Sequence, residues 1–470
     1  MRRLVVFAAV VASSLVPLAS AGSVAGATSC APAPTHVGRF LGIQRPSTTA
    51  APIACSLAAR SSASKAYNGG SPPLKLKGGV TMGTSLQPGA VTLTPIYWAP
   101  NQAAFDSGYE SLSTQFINDL SAATTAGTTA SPFSVLTQYT NASGTRFGSQ
   151  MTASQPIVDT QAYPNDANTT GCSPDSGAIY NDNSGYSSCI SDADIMAEVQ
   201  RLTTDKNLST DWSHLYVVYL PKGVEDCMPS QGQTPHSCTA NYADTADSYC
   251  AYHSYVNPAP TDAPMLYAVI PYTVWNSGTG IGCNGLVDAP NADPAVDYGV
   301  SAVSHEIAEA VTDPQGYSQD GLTHGWMDKS GNEIGDLCAY VYGALRGTSG
   351  QRYNVRLNGS KYLIQQEFSN SSYKLSHAAG CQTGWIAPSV SLRSTGKLTV
   401  GKLVTFHATV STPSGAVLSR SWTLDGQPAG SGATFATRFV TAGSHTVALT
   451  VTDSGGYQGG SSLPVTIKTP

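Results

Sequence analysis

The stretch DPAVDYGVSAVSHEIAEAVTDP, running from Asp293 to Pro314, reads as a helix with both ends marked. Asp293 offers a carboxylate to the free N–H groups of a first turn, and Pro294 is preset for the first helical position. Asp313-Pro314 closes the segment, because proline disfavours helical geometry in the residue before it. The spacing predicts a helix over about 294–312. At roughly 100° per residue, Val296, Val300, Val303, Ile307 and Ala310 gather on one side, whereas His305 and Glu309 lie about 40° apart on the other, beside Tyr298 and Ala302. One face is expected to pack and the other to face a cleft. His305-Glu306-x-x-Glu309 then presents an imidazole and a carboxylate one turn apart, so that one helix supplies two ligands to a divalent ion while Glu306 acts as base. Glutamate occurs only at positions 110, 198, 225, 306, 309, 333 and 367, and three of the seven fall between 306 and 333. That clustering argues against a merely solvated helix face. The third ligand is expected at Glu333, within Gly331-Asn332-Glu333-Ile334-Gly335-Asp336, with Asp336 the alternative and Asp328 or Asp313 as further candidates.

Outward from this helix, Val91–Trp98 has strand chemistry, and His214–Leu220 and Met265–Ile270 are short apolar runs stopped by Pro221 and Pro271, as buried strands would be. Leu112, Phe116 and Leu120 give the intervening segment helical spacing. The predicted core is therefore α+β, a mixed sheet with helices, spanning 76–385. From Pro388 the texture changes to short alternating runs, such as Val404–Val410 and His445–Val451, separated by Gly, Ser and Asp turns; 388–470 is expected to be a small all-β sandwich.

At 470 residues the chain exceeds what one hydrophobic core usually organises, so more than one folded unit is expected. Met1-Arg2-Arg3, an apolar run to Leu18 and the small residues Ala19-Ser20-Ala21 have the order of a secretory signal peptide, giving 1–21 as signal and the Ala/Ser/Thr/Pro-rich 22–75 as a leader or pro-segment. No later stretch is long and apolar enough to span a membrane, and the mature chain is expected to be secreted. A net charge of -6 with no basic stripe excludes nucleic acid as a partner. All ten cysteines lie after the signal and none forms a close Cys-x-x-Cys pair, which points to five disulfides rather than zinc thiolates. His253, His324 and the Asp328-Lys-Ser-Gly-Asn332 loop each have a bland reading, as hydrogen-bonded histidines and a turn; the loop also admits calcium.

His305-Glu306-x-x-Glu309 resembles the zincin helix, with glutamate in place of the second histidine. Glu333 with Asp336 resembles the gluzincin arrangement in which a second-helix glutamate completes the zinc shell. Lys77-Gly78-Gly79-Val80, Tyr97-Trp98, Leu136-Thr137-Gln138-Tyr139, Cys250-Ala251-Tyr252-His253, Pro290-Asn291-Ala292-Asp293 and Val311-Thr312-Asp313-Pro314 together resemble the phosphate-induced or EXORDIUM-like family of exported proteins. Ser419–Gly426 and Ala442–Asp453 resemble a polycystic-kidney-disease (PKD) type module. These resemblances imply a zincin-like core and extracellular location. The expected function is a secreted metal-dependent hydrolase, a metallopeptidase with a polypeptide substrate, holding zinc through His305, Glu309 and Glu333, with Glu306 as its catalytic base. The competing expectation is a noncatalytic cell-wall or matrix protein that meets a cell-surface polymer and holds structural calcium.

Overall fold

A computed structural model describes residues 72–83, 90–100, 105–127, 129–147, 150–164, 188–222, 224–228, 237–238, 249–256, 263–272, 288–315, 324–376 and 380–470. The predicted signal peptide and nearly all of the predicted leader lie outside these residues. Packing reaches back past the expected boundary at 76, since Leu74 is fully buried and Lys75–Leu76 pairs antiparallel with Trp326–Met327.

The central sheet is built from β1 (Ala90–Trp98), β2 (Gln150–Ala153), β3 (Ile157–Asp159), β4 (His214–Tyr219), β5 (Tyr252–Val256) and β6 (Met265–Ile270). Their order is β2-β1-β4-β6-β5, with β3 paired to the far end of β1. The pairs β1/β2, β1/β3, β1/β4 and β4/β6 are parallel, and only the edge pair β5/β6 is antiparallel. This is a mixed α/β core, more parallel than the α+β expectation. Strand direction follows from crossovers that residue chemistry does not display.

Side chains alternate across the sheet with period two. Leu215, Val217 and Tyr219 of β4 and Leu266, Ala268 and Ile270 of β6 enter one core, against α1 (Tyr109–Thr125) and α3 (Pro294–Thr312). Tyr216, Val218, Tyr267 and Val269 enter a second core against α2 (Asp192–Asp205). Burial on both faces explains why these strands read as unbroken apolar runs.

Helix α3 has the predicted limits. Asp293 Oδ1 accepts from the N–H groups of Ala295 and Val296 at 3.1 and 3.3 Å, and Pro294 occupies the first turn. Its expected open face does not exist: every residue from Gly299 to Thr312 is buried, His305, Glu306 and Glu309 at 0% exposure. The turn around Glu333–Asp336 and the buried Ile334 close over the polar side.

The C-terminal strands β7 (Ser389–Gly396), β8 (Leu403–Ser411), β9 (Val417–Leu424), β10 (Gln427–Gly430), β11 (Thr434–Arg438), β12 (Gly443–Asp453) and β13 (Gln458–Ile467) form sheets of order β7-β8-β11 and β10-β9-β12-β13. Phe406, Trp422, Val447, Leu449 and Val451 fill the space between them. Asp425 (φ 52°) and Gly426 (φ 81°) make the two-residue β9–β10 turn, whose twist requires positive φ at both positions.

Trp385 joins the sandwich to the core. Its backbone N–H donates to Thr129 O and to Ser134 Oγ, both at 2.8 Å, and its indole Nε1 donates to Asp453 Oδ2 at 2.6 Å. Tyr457 donates to Ser134 O at 3.0 Å, and Arg146 donates to the Ser454 carbonyl.

Candidate metal centre

Three elements converge on the buried face of α3. The helix supplies His305, Glu306 and Glu309. Edge strand β5 supplies His253, whose register partner Ala268 points into the core that α3 shares. The segment from Glu333 to Cys338 supplies Glu333 and Asp336; it is a turn leading into the 3-10 helix Asp336–Cys338 rather than a second helix of any length. Asp336 Oδ2 accepts the Glu333 N–H at 3.0 Å, which tightens that turn, and Asp336 donates its own N–H to Glu309 Oε1 at 3.0 Å. Gly335 lies so close to His305 that a Cβ there would fall 2.7 Å from Nδ1, so the imidazole is seated directly against backbone. The Gln365 side chain donates to Gly335 O at 3.0 Å. Cys338 is bonded to Cys381, Cys250 is also in a disulfide, and no cysteine is free among the described residues.

His305 Nε2 lies 3.0 Å from Glu309 Oε1 and 3.6 Å from Asp336 Oδ1. His253 Nδ1 lies 3.1 Å from Glu306 Oε2 and 3.9 Å from Glu309 Oε2, while its Nε2 is 3.9 Å from Glu333 Oε1 and 3.0 Å from Asp313 O. Two sets of ligand atoms result, His305–Glu309–Asp336 and His253–Glu309–Glu333, with the atoms of each set within 4.8 Å of one another.

The electrostatics are those of anions crowded out of water. Burial pushes the Glu333 carboxyl well above its ordinary value, and Glu309, Asp313, Asp336 and Glu306 push it further. Burial and then Asp336 raise Glu309, opposed by His305. Glu367 is also driven well up, by burial first, with His305 opposing and Glu309 adding. Burial alone would lower both imidazoles. For His305 the carboxylates Glu309, Glu306 and Asp336 outweigh it and hold the ring well above its usual range; for His253 the net shift is also upward, through Glu306 and Glu309.

The residues fit a cation. His305 Nδ1, Glu309 Oε2 and both carboxylate oxygens of Glu333 lack a hydrogen-bond partner among the described residues. Unsatisfied buried polar atoms are costly, and an ion would satisfy several at once. Mixed imidazole and carboxylate donors suit zinc or a neighbouring transition ion, whereas calcium takes six to eight oxygens. The other calcium candidate is already engaged: Asp328 Oδ1 accepts from Ser330 N and Asn332 N at 2.7 and 3.0 Å, and Oδ2 accepts from the Asn332 amide at 2.9 Å. It is an ordinary turn.

Of the residues singled out by sequence, His305, Glu306, Glu309, Glu333 and Asp336 all come together here. The expected set of His305, Glu309 and Glu333 is divided, however: Asp336 stands with His305, and Glu333 stands with His253. Sequence reasoning weighed His253 as a structural histidine, because a single histidine on a strand 52 positions before His305 carries no spacing signal. Glu367 belongs to no motif, and the rarity of glutamate is the only signal the sequence gives for it.

Residues 385–467 match the family model of the PKD domain, and the C-terminal sandwich is a PKD domain. The particular proteins that the chain resembles fall into two groups. Protein EXORDIUM-like 5 and Protein EXORDIUM-like 3 of Arabidopsis thaliana are each 28% identical, over 28% and 26% of this chain and 41% of each relative. The chain thus spans less than half the length of these relatives. Among solved structures, the PKD1 domain of the Vibrio cholerae metalloprotease PrtV is 28% identical, covers 18% of this chain and 100% of its own, and has a TM-score of 0.16. The PKD1 domain of Vibrio anguillarum Epp is 25% identical, with 18% and 99% coverage and a TM-score of 0.17. No helix among the described residues is long and apolar enough to cross a membrane.

Proposed function

We propose that this chain is a secreted metal-dependent hydrolase acting on peptide bonds, with the His305-Glu306-x-x-Glu309 helix at its centre. The observation that carries the reading is the approach of His305 Nε2, Glu309 Oε1 and Asp336 Oδ1 to one another, beside a carboxylate one position along the same helix. His305, Glu309 and Asp336 would hold the ion, zinc being favoured by the donors. A divalent ion held there would polarise a carbonyl and lower the pKa of water towards neutrality. Glu306, whose Oε2 lies 3.1 Å from His253 Nδ1, would accept a proton from that water.

The test is a metal analysis of purified full-length protein paired with a broad peptide-library digest. Stoichiometric metal together with cleavage that a chelator abolishes is expected. Protein that carries no tight metal, or metal without cleavage, overturns the hydrolase reading. One observation favours a second reading, a noncatalytic wall or matrix protein that binds a surface polymer through its PKD domain: all the ligand groups are buried, His305 and Glu309 at 0% exposure and Asp336 at 8%, as a structural ion site would be. Metal content with no hydrolysis, and retention on insoluble wall polymer, would be its result.

A further inference from the structure

We infer that the centre is built for two divalent cations bridged by Glu309, with the second held by His253, Glu309 and Glu333. This rests on the metal-centre reading and extends it. The two oxygens of Glu309 face different ligand sets. Oε1 lies 3.0 Å from His305 Nε2 and accepts the Asp336 N–H, whereas Oε2 lies 3.9 Å from His253 Nδ1 and has no hydrogen-bond partner among the described residues. A carboxylate split in this way is placed as a bridge between two ions.

Glu333 provides the independent sign of a ligand. It is at 0% exposure, neither oxygen has a hydrogen-bond partner among the described residues, and Oε1 stands 3.9 Å from His253 Nε2. An ion confined to His305, Glu309 and Asp336 leaves both buried oxygens of that carboxyl group without a partner among the described residues, which is costly. The His253 ring is oriented for the task as well. Its Nε2 can only donate to the Asp313 carbonyl, at 3.0 Å, and that bond turns Nδ1 towards Glu306 Oε2 and Glu309 Oε2. A nitrogen lone pair facing carboxylate oxygens is stabilised by a cation placed among them. The supports are rigid: His253 is held in the β5/β6 register, Glu309 in the middle of α3, and Glu333 in the turn tied by Asp336.

Full-length oxidised protein, stripped with chelator and titrated with Zn²⁺, decides the matter by native mass spectrometry and elemental analysis. Two equivalents per chain are expected. Mn²⁺-loaded protein should give an exchange-coupled paramagnetic resonance spectrum, since metal pairs in such sites lie about 3.5–4 Å apart. Glu333→Gln should retain one equivalent and weaken the other by more than about 100-fold, beyond what a mere supporting residue gives. Asp336→Asn should also keep one. A wild-type chain that saturates at one equivalent overturns the second position and leaves the hydrolase reading standing. A chain that binds none overturns both. Two equivalents with an uncoupled manganese spectrum place the ions at separate sites and overturn the bridge.

Discussion

Glu306 and Glu309 sit three positions apart on one helix, yet their replacement should separate chemistry from binding. Glu306→Gln keeps the shape and the approach to His253 while removing the proton acceptor; the expected outcome is retained metal and a loss of roughly two to four decades in turnover, read by elemental analysis beside steady-state rates. Glu309→Ala removes oxygens common to both ligand sets, so the metal itself should be lost. Gly335 makes a different test. A Cβ built there falls 2.7 Å from His305 Nδ1 and 2.9 Å from Cε1 and Cγ, so Gly335→Ala must displace the ring. Metal affinity should fall while the helix signal in circular dichroism stays, and unaltered affinity would show that the ring tolerates the push. How much of this was legible depends on distance along the chain. His305, Glu306 and Glu309 announce themselves through the 3.6-residue period, and Glu333 and Asp336 through local acidity. His253 and Gly335 gain their meaning only when β5 and the 333–338 turn are brought against α3.

At the scale of elements, α3 was readable to its ends because capping chemistry is local: Asp293, Pro294 and Pro314 act on their nearest neighbours. The surroundings of that helix were not readable. An arrangement with valines on one side and His305 and Glu309 on the other suggests an open polar face, but a polar face can equally be roofed by another polar segment, as the turn at Glu333–Asp336 does. The sheet gave the same lesson, since apolar runs reveal strands buried on both faces without revealing that most run parallel. The first turn of α3 yields a pH prediction. Asp297 accepts from Asn291 N and Nδ2 and from Asp293 N, yet burial pushes its carboxyl up to about 6 from 3.8. A carboxyl raised on folding favours the native state most below its unfolded value and loses that contribution as pH climbs through its folded value. Wild-type stability should therefore decline between about pH 4 and 6 from this group, by up to about 3 kcal/mol for a shift of roughly two units. Thermal unfolding of Asp297→Asn across that range should show a flatter slope than wild type, whatever its offset; parallel curves would exclude the assignment.

Across the whole molecule, the alternating runs after Pro388 show the sandwich in the sequence but not its attachment, because one tryptophan ahead of the first strand gives no pattern to read. Trp385 is 2% exposed, its ring lies so near Gly415 and Gly455 that a Cβ at either would come within 2.5 Å, and the Tyr457 ring lies against it, tilted by 32°, at 5.6 Å between centroids. Trp385→Ala should cost roughly 3–5 kcal/mol, as large aromatic truncations in cores do, measured by denaturant unfolding. A fragment ending at 387 should keep its metal but melt lower, and a fragment as stable as the full chain would show the contact to be incidental. The seam also has a mechanical meaning. Trp385 and Tyr457 both land on Ser134, in the 3-10 helix Pro132–Gln138 that packs directly on α3. Tension applied to the PKD domain enters the body of the protein at that bracket and is felt next at the helix bearing His305 and Glu309. On the proposed reading, the sandwich is a handle bolted beside the ligand cluster, and a load on it is carried towards α3.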